Sequence, residues 1–274
     1  MAKTGGSQTV DRALSLLDAL ASSRTPMRLS DLSQAVGLNI STTSRLLNSL
    51  EEHGLLRRDN SDGRYRLGYS LLHLATIVEQ QTNLHELADD VLQRLVDDIN
   101  ESSGLSLLDG NHVLVVARVA CESQLRISQP VGTRNPIYCT AAGKSLLAYQ
   151  PEDRIAKILS LGMPRLTDLT ITDPAAMRVE LDRIREQGFA LDLGEREVGL
   201  IGISVPVRNA FGEVVGTCTA SGSSIRITPD RIQQLIGRVA LAATELSERL
   251  GWTSGSDNGR SRNQLMKGVT AFTE

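Results

Sequence analysis

The chain lacks the features that mark several large functional classes. Cys121, Cys139 and Cys218 are its only cysteines. Their number is odd and no CxxC pair occurs, which argues against a disulfide framework or a zinc finger. His53, His73, His85 and His112 are scattered, with no HxH or HxxxH pair. No metal site and no cofactor is therefore expected. No run of about 18 apolar residues could span a bilayer, and no basic-then-apolar leader opens the chain. The expectation is a soluble cytoplasmic protein with no membrane partner. Charge of one sign is missing too. The 29 Lys/Arg and 32 Asp/Glu give a net −3 over 274 residues. Residues 1–70 hold nine basic against seven acidic side chains, a net +2, which leaves −5 for the remainder. The sign of that asymmetry suits an acidic bulk carrying a locally basic head.

Two motifs resemble enzyme signatures and fail. Ala142-Gly143-Lys144-Ser145 ends like a phosphate-binding P-loop, but Tyr138 stands where that loop needs glycine. Ser204 sits in Gly202-Ile203-Ser204-Val205-Pro206, which is no GxSxG elbow. No enzyme is expected.

What is present begins near Arg28. Ser30 can cap a first helix, with Asp31 at its positive end and Leu32, Ala35 and Val36 on one face. Gly37 suits a left-handed helix stop. Asn39 and Ser41 offer a second cap. Leu46, Leu47 and Leu50 then share one face, and Thr42, Arg45, Ser49 and Glu52, spaced 3, 4, 3, share the other. Leu55 to Arg58 and Arg64 to Leu67 flank Asp59-Asn60-Ser61-Asp62-Gly63, a hairpin signal. By alternation Tyr65 and Leu67 point inward, Arg64 and Arg66 outward. Upstream, Val10, Ala13, Leu14, Leu17 and Leu20 form an amphipathic first helix. Helix, glycine turn, helix and basic hairpin in this order predict a winged helix-turn-helix that lays one helix in the DNA major groove. Its candidate DNA contacts are Arg28, Ser41, Thr42, Thr43, Arg45, Ser49 and Arg64. Arg45 would read a base edge, the hydroxyls phosphate or bases, and Arg64 phosphate.

The periodicity divides the rest. Residues 1–8 read as a flexible arm, 9–68 as the winged head, 69–82 as a linker helix, 83–250 as a second domain and 251–274 as a disordered tail. In the second domain Leu105 to Leu108 and Val113 to Ala120 alternate as a hairpin, and Gln124 to Ser128 could add a strand. Helices are expected at Ala141 to Tyr149, Glu152 to Leu161, Pro174 to Gln187 and Pro229 to about Leu250. Strands are expected at Phe189 to Leu193, Gly202 to Val207 and Glu213 to Ala220. The fold class is α+β, with a mixed or antiparallel sheet and helices on its faces.

At this point the sequence resembles the IclR (isocitrate lyase regulator) family of bacterial transcription factors. The head carries QTVDRALSLLDAL, LSDLSQAVGLNISTTSRLLNSLEEHGLLRR and GRYRLG. The second domain carries YCTAAGKSLLAY and GFALDLGEREVGLIGISVPVRNAFGEVVGTCTASG. The resemblance implies a GAF-like effector domain, a homodimer or dimer of dimers, a palindromic double-stranded DNA operator and a small organic acid as effector. Matched by motif, the effector carboxylate falls on the amides of Ala141, Ala142 and Gly143, which agrees with the anion-binding character of a helix N-terminus. Asp192, Thr219 and Ser221 match polar pocket positions. A cysteine is common in the family where this chain has Gly202. That glycine would enlarge the pocket and favour an aromatic or branched acid.

A competing reading makes this a small-molecule-binding protein whose head contacts proteins. Salt-sensitive, sequence-specific DNA binding separates the two. The apolar stripe from Leu71 to Val78 is the candidate for pairing two heads.

Overall fold

The computed structural model describes residues 7–23, 25–59, 61–82, 84–123 and 129–253, with side chains outside 78–85. Most of the expected arm, the strand at Gln124 to Ser128, the side chain of Val78 and nearly all of the expected tail lie outside the described residues. The chain divides into two units, 1–83 and 84–274.

In the first unit, α1 (Gln8–Ser23), α2 (Leu29–Ala35) and α3 (Ile40–Glu52) precede the hairpin of β1 (Leu56–Arg58) and β2 (Tyr65–Leu67), and α4 (Ser70–Thr82) closes it. Leu16, Leu20, Leu32, Leu47, Leu50, Leu56 and Tyr65 form one buried core. Leu16 rather than Leu14 anchors α1, because Val10 and Leu14 stay more than half exposed. The first cap is corrected as well. Residue 28 takes the N-cap position, and Asp31 accepts its amide at 3.3 Å. Ser30 is therefore already helical. Ser33, not Ala35, is buried, donating to the Leu38 carbonyl at 2.5 Å. Gly37 leaves the helix at φ 64°, a backbone region that glycine enters without steric cost. Asn39 caps α3 by accepting from Thr42 N–H at 2.8 Å. Met27 and Tyr65 exchange backbone hydrogen bonds, adding an isolated bridge to the hairpin that no sequence pattern announced.

The second unit opens with α5 (Leu84–Ile99). Its sheet has six antiparallel strands in the order β5-β4-β3-β8-β7-β6: β3 (Ser102–Asp109), β4 (His112–Val119), β5 (Arg134–Pro136), β6 (Ala190–Leu193), β7 (Leu200–Arg208) and β8 (Val214–Ser223). One face packs on α5 and α9 (Pro229–Arg249), through Leu105, Ala117, Leu191, Ile203, Cys218 and Ala220. Against the other lies α6 (Ala141–Ala148), with α8 (Pro174–Gln187) and α7 (Glu152–Leu159) in the same cluster. Strands of a two-faced sheet alternate between these cores, so every second residue of β7 and β8 turns toward α6. Glu101 is fully buried and ion-paired to Arg226 at 2.7 Å and Arg231 at 2.8 Å, which compensates its charge. Among the described residues no helix is long and apolar enough to cross a membrane.

Candidate functional site

On α3 the core face and the outer face separate cleanly. Leu47 and Leu50 are buried; Ser41, Arg45, Asn48, Ser49 and Glu52 are exposed. Thr43 is a correction. It is fully buried, and its hydroxyl donates to the Asn39 carbonyl at 3.0 Å, so it cannot meet DNA. At about 100° per residue Thr43 falls between Leu47 and Leu50 on the helical wheel, a signal already in the spacing. The same wheel puts Asn48 beside Arg45, on the outer face, where the 3, 4, 3 spacing passes over it. Thr42 is half-buried with its amide held by Asn39; Arg28 is exposed at the start of α2.

The wing is less cationic than its four arginines suggest. Arg64 lies 3.4 Å from Asp62, and Arg66 lies 3.4 Å from Asp59. The Ser61 hydroxyl and amide, with Arg66, hold the Asp59 carboxyl below its ordinary range. Arg57 stacks over the Tyr69 ring. Leu67, expected beneath the wing, is 38% exposed, while Tyr65 is buried.

Between the sheet and the start of α6 lies a cavity of about 40 Å³. By the measure in which one water needs about 10–15 Å³, it holds about three. Ala141, Ala142, Asp192, Gly202, Thr219 and Ser221 all line it. The register explains their convergence. Ser221 pairs with Gly202, and Gly202 with Asp192; one row along, Gly104 pairs with Thr219 and Thr219 with Ser204. Ser204 and Thr219 share a hydroxyl hydrogen bond of 3.0 Å.

Gly143 does not join them. Thr140 caps α6, and its hydroxyl accepts the Gly143 amide at 3.0 Å. A threonine cap binds the third amide of its helix, so only the amides of Ala141 and Ala142 remain without a partner among the described residues. Gly143 is small because any Cβ there would strike the Ile137 backbone.

Gly202 does not enlarge the cavity. A Cβ there would lie 3.2 Å from the Ala141 Cβ and 3.5 Å from the Asp192 Cβ. Ala141 of α6 crowds the space a side chain at 202 would take, and the argument for a bulky acid falls with it.

Asp192 is buried, and its Oδ1 accepts from the amides of Gly194 at 3.1 Å and Glu195 at 2.8 Å. Burial outweighs these bonds and pushes its pKa up to about 6. The turn that follows is tied down from three sides. The Thr167 hydroxyl donates to the Gly194 carbonyl at 2.7 Å and the Thr170 hydroxyl to the Glu195 carbonyl at 2.6 Å. Lys144, fully buried, donates to Glu180 at 3.1 Å and also to Glu195. The lysine of the P-loop-like segment is thus a structural strut. Burial pushes the Cys139 and Cys218 thiols up to about 12, the charge of Asp192 adding to the effect at Cys139. Neither is an activated nucleophile.

Six polar lining residues escaped the sequence: Ser106, Arg118, Gln129, Asn135, Thr140 and Arg196. A bulge hides Arg118. Leu105 pairs with Ala117 but Ser106 with Val115, so Val116 is an extra residue and the alternation of β4 reverses around it. Val115 and Arg118, three apart, consequently face the same cavity. Asn135 sits on the three-residue β5, too short to show a pattern. Among the described residues no group of His, Cys, Asp or Glu is placed to hold a metal.

A winged helix-turn-helix in one unit and a second unit built on a six-stranded antiparallel sheet define the class of DNA-binding transcriptional regulators. Comparison with known proteins places it more narrowly. Residues 9–60 match the IclR helix-turn-helix domain, and residues 76–248 match the bacterial transcriptional regulator IclR C-terminal domain. The chain belongs to the IclR family of bacterial transcriptional regulators. It is 35% identical over 257 residues to the HTH-type transcriptional regulator Rv1719 of Mycobacterium tuberculosis, covering 93% of each chain. It is 31% identical to the HTH-type transcriptional regulator BhcR of Paracoccus denitrificans, over 89% of this chain and 88% of that one. Among solved structures, an IclR homologue of Microbacterium hydrocarbonoxydans in complex with 4-hydroxybenzoate matches with a TM-score of 0.75 and 26% identity, over 89% of this chain and 99% of that one. Thermotoga maritima IclR matches with a TM-score of 0.67 and 28% identity, over 89% and 99%.

Proposed function

We propose that this protein binds a palindromic operator as a homodimer or dimer of dimers in the cytoplasm, and that a small organic acid in its second unit changes that binding. The observation that carries the reading is the pair of free amides, Ala141 and Ala142, at a helix N-terminus facing a polar cavity. Such an end favours a carboxylate through its unpaired N–H groups and the helix dipole. On the DNA side, Ser41, Arg45, Asn48 and Ser49 form one exposed face of α3, with Arg28 and Arg64 flanking it as phosphate contacts.

Self-association is supported by α4. Leu72 is 68% and Leu74 51% exposed, and no described side chain of that helix is buried. A helix with so much apolar surface gains from covering it, and a second copy also supplies the second half-site of a palindrome. The acid can act as a signal only by binding the DNA-competent and DNA-incompetent states unequally.

Selection from a random DNA pool with the full-length protein tests this reading. The expected product is an inverted repeat whose half-sites lie about one or two helical turns apart. Its affinity falls steeply with salt and shifts when a binding acid is added. No enrichment at physiological salt, or a monomer by light scattering with operator present, would overturn it.

A further inference from the structure

In a helix-turn-helix head the N-terminal residues of the second helix meet the base edges. Most side chains in the first turn of α3 are engaged inside the protein. Asn39 accepts the Thr42 amide at 2.8 Å. Thr43 is fully buried and bonded to the Asn39 carbonyl, and Thr42 is half-buried. The turn leaves Ile40 and Ser41 exposed at its start, with Ser44 half-buried behind them. Ile40 is 59% exposed and belongs neither to the apolar core of the head nor to the residues packed around it. Among the described residues of α3 it is the only exposed apolar one. At about 100° per residue, Ile40, Ser44, Asn48, Ser41 and Arg45 follow one another over an arc of about 140°, so the isoleucine forms one margin of the outer face. Local helix stability does not call for it, since β-branching lowers helix propensity slightly. A single exposed isoleucine elsewhere on a surface is ordinary. This one is the first residue of the helix that enters the groove, where a base pair is the surface that can cover it.

We propose that Ile40 packs on a thymine methyl in the major groove and so fixes one T·A pair in each half-site of the operator. The proposal rests on the operator-binding reading above and names one base that it reads. Along the major groove the base edges offer hydrogen-bond donors and acceptors, and the thymine C5 methyl is the apolar group among them. Isoleucine has no group to pair with the others and would leave them desolvated without a partner, which is costly. Arg45 follows five residues later. At 1.5 Å per residue that is about 7.5 Å along the helix, close to two base-pair steps of about 3.4 Å. Where α3 follows the groove, the thymine lies about two base pairs from the base that Arg45 reads. An apolar contact releases no counterions and adds nothing to the salt dependence, which sets Ile40 apart from Arg28 and Arg64.

Deoxyuridine, which differs from thymidine by that methyl alone, tests the proposal on the full-length protein and its selected operator. Each thymine of a half-site is replaced in turn, together with its symmetry mate. One position should stand out. Losing a methyl from an apolar contact weakens binding about fourfold per half-site, so the doubly substituted operator should bind wild type about tenfold more weakly or worse. Ile40→Ser should bind the thymine and deoxyuridine operators within about twofold of each other, and Ile40→Val should keep part of the difference. The salt slope of Ile40→Ser should equal that of wild type, and thermal denaturation reads its fold. Selection repeated with Ile40→Ser should lose the thymine preference and retain the base under Arg45. If wild type tolerates deoxyuridine at every thymine, or Ile40→Ser remains as sensitive to it as wild type, the assignment of Ile40 is wrong while the operator reading stands. If wild type enriches no operator, the operator reading fails and takes this one with it.

Discussion

The two surfaces that would meet an anion are built in opposite ways. Arg45, Asn48 and Ser49 stand in water on a single helix, spaced by its pitch. The amides of Ala141 and Ala142, with Asp192, Thr219 and Ser221, are gathered from one helix and two strands around a cavity. An exposed group needs no internal partner, so its contribution can be reserved for binding. A buried charged group must be compensated inside the protein. Changes at the first surface should therefore alter affinity with little effect on stability, whereas changes around the second should alter both.

The sharpest test of that contrast is Lys144→Ala. It strands the buried Glu195 carboxylate, whose pKa burial already pushes up despite the lysine, while Glu180 keeps Arg183 at 2.9 Å. Leaving one partner of a buried ion pair alone costs about 3–5 kcal/mol. For a unit of this size that lowers the melting temperature by roughly 10 °C. A shift of only one or two degrees would show that the strut is dispensable and that the buried site is no more demanding than the exposed one.

What could be read from the sequence follows the same division. The α3 cap, its leucine face, its arginine and the wing are local features, set by residues within a few positions of each other, and spacing alone located them. Thr43 was misplaced although its wheel position was readable. Five of the six strands of the second unit were also visible, and alternation put Thr219 and Ser221 on one face. Arg118 was not visible, because the reversal at Val116 exists only through pairing with β3. Asn135 and Arg196 belong to a very short strand and a loop, where periodicity carries nothing. The closeness of Ala141 to Gly202 is a tertiary distance, and the inferred enlargement failed for that reason.

A smaller effect is expected at Asp192, and its sign is defined. The carboxyl binds its proton more tightly in the folded chain, at about 6 against 3.8 for the model carboxyl. Between those values the folded state holds more protons than the unfolded one, so stability falls as pH rises through the window and levels off above about 6. The loss is at most about 3 kcal/mol. Asp192→Asn keeps an oxygen for the amides of Gly194 and Glu195 and removes the titration. Urea unfolding of the two proteins at pH 4 and pH 7 should show the difference, the variant gaining on wild type at the higher pH. Parallel profiles would mean that this carboxyl is not strained by its burial. A bound acid should also be favoured by lower pH, since protonating Asp192 removes a like charge.

On the exposed side, Arg45→Ala should weaken operator binding by about 1–3 kcal/mol and relax preference at one base position, with the melting temperature within a degree or two of wild type. Thr43→Ala should do the reverse. It opens a small void in the head and loses one hydrogen bond, costing about 1–2 kcal/mol of stability, and leaves base preference intact. Fluorescence anisotropy and thermal denaturation on the same two variants read both quantities. If Thr43→Ala altered base preference and Arg45→Ala did not, α3 would be turned the wrong way.

The smallest effect belongs to the wing. A free arginine on phosphate contributes about one unit to the slope of log affinity against log salt. Arg64 is not free: it lies 3.4 Å from Asp62, both side chains about two-fifths exposed. Each contact with phosphate must compete with that carboxylate, so Arg64→Ala should lower the slope by less than one unit. Asp62→Ala should act in the opposite direction, releasing Arg64 and tightening operator binding without changing which bases are preferred, because a phosphate contact carries no sequence information. Salt titrations of the two variants against one operator decide the matter. Equal slopes in wild type, Arg64→Ala and Asp62→Ala would take the wing tip off the DNA and leave recognition to α3 and the start of α2.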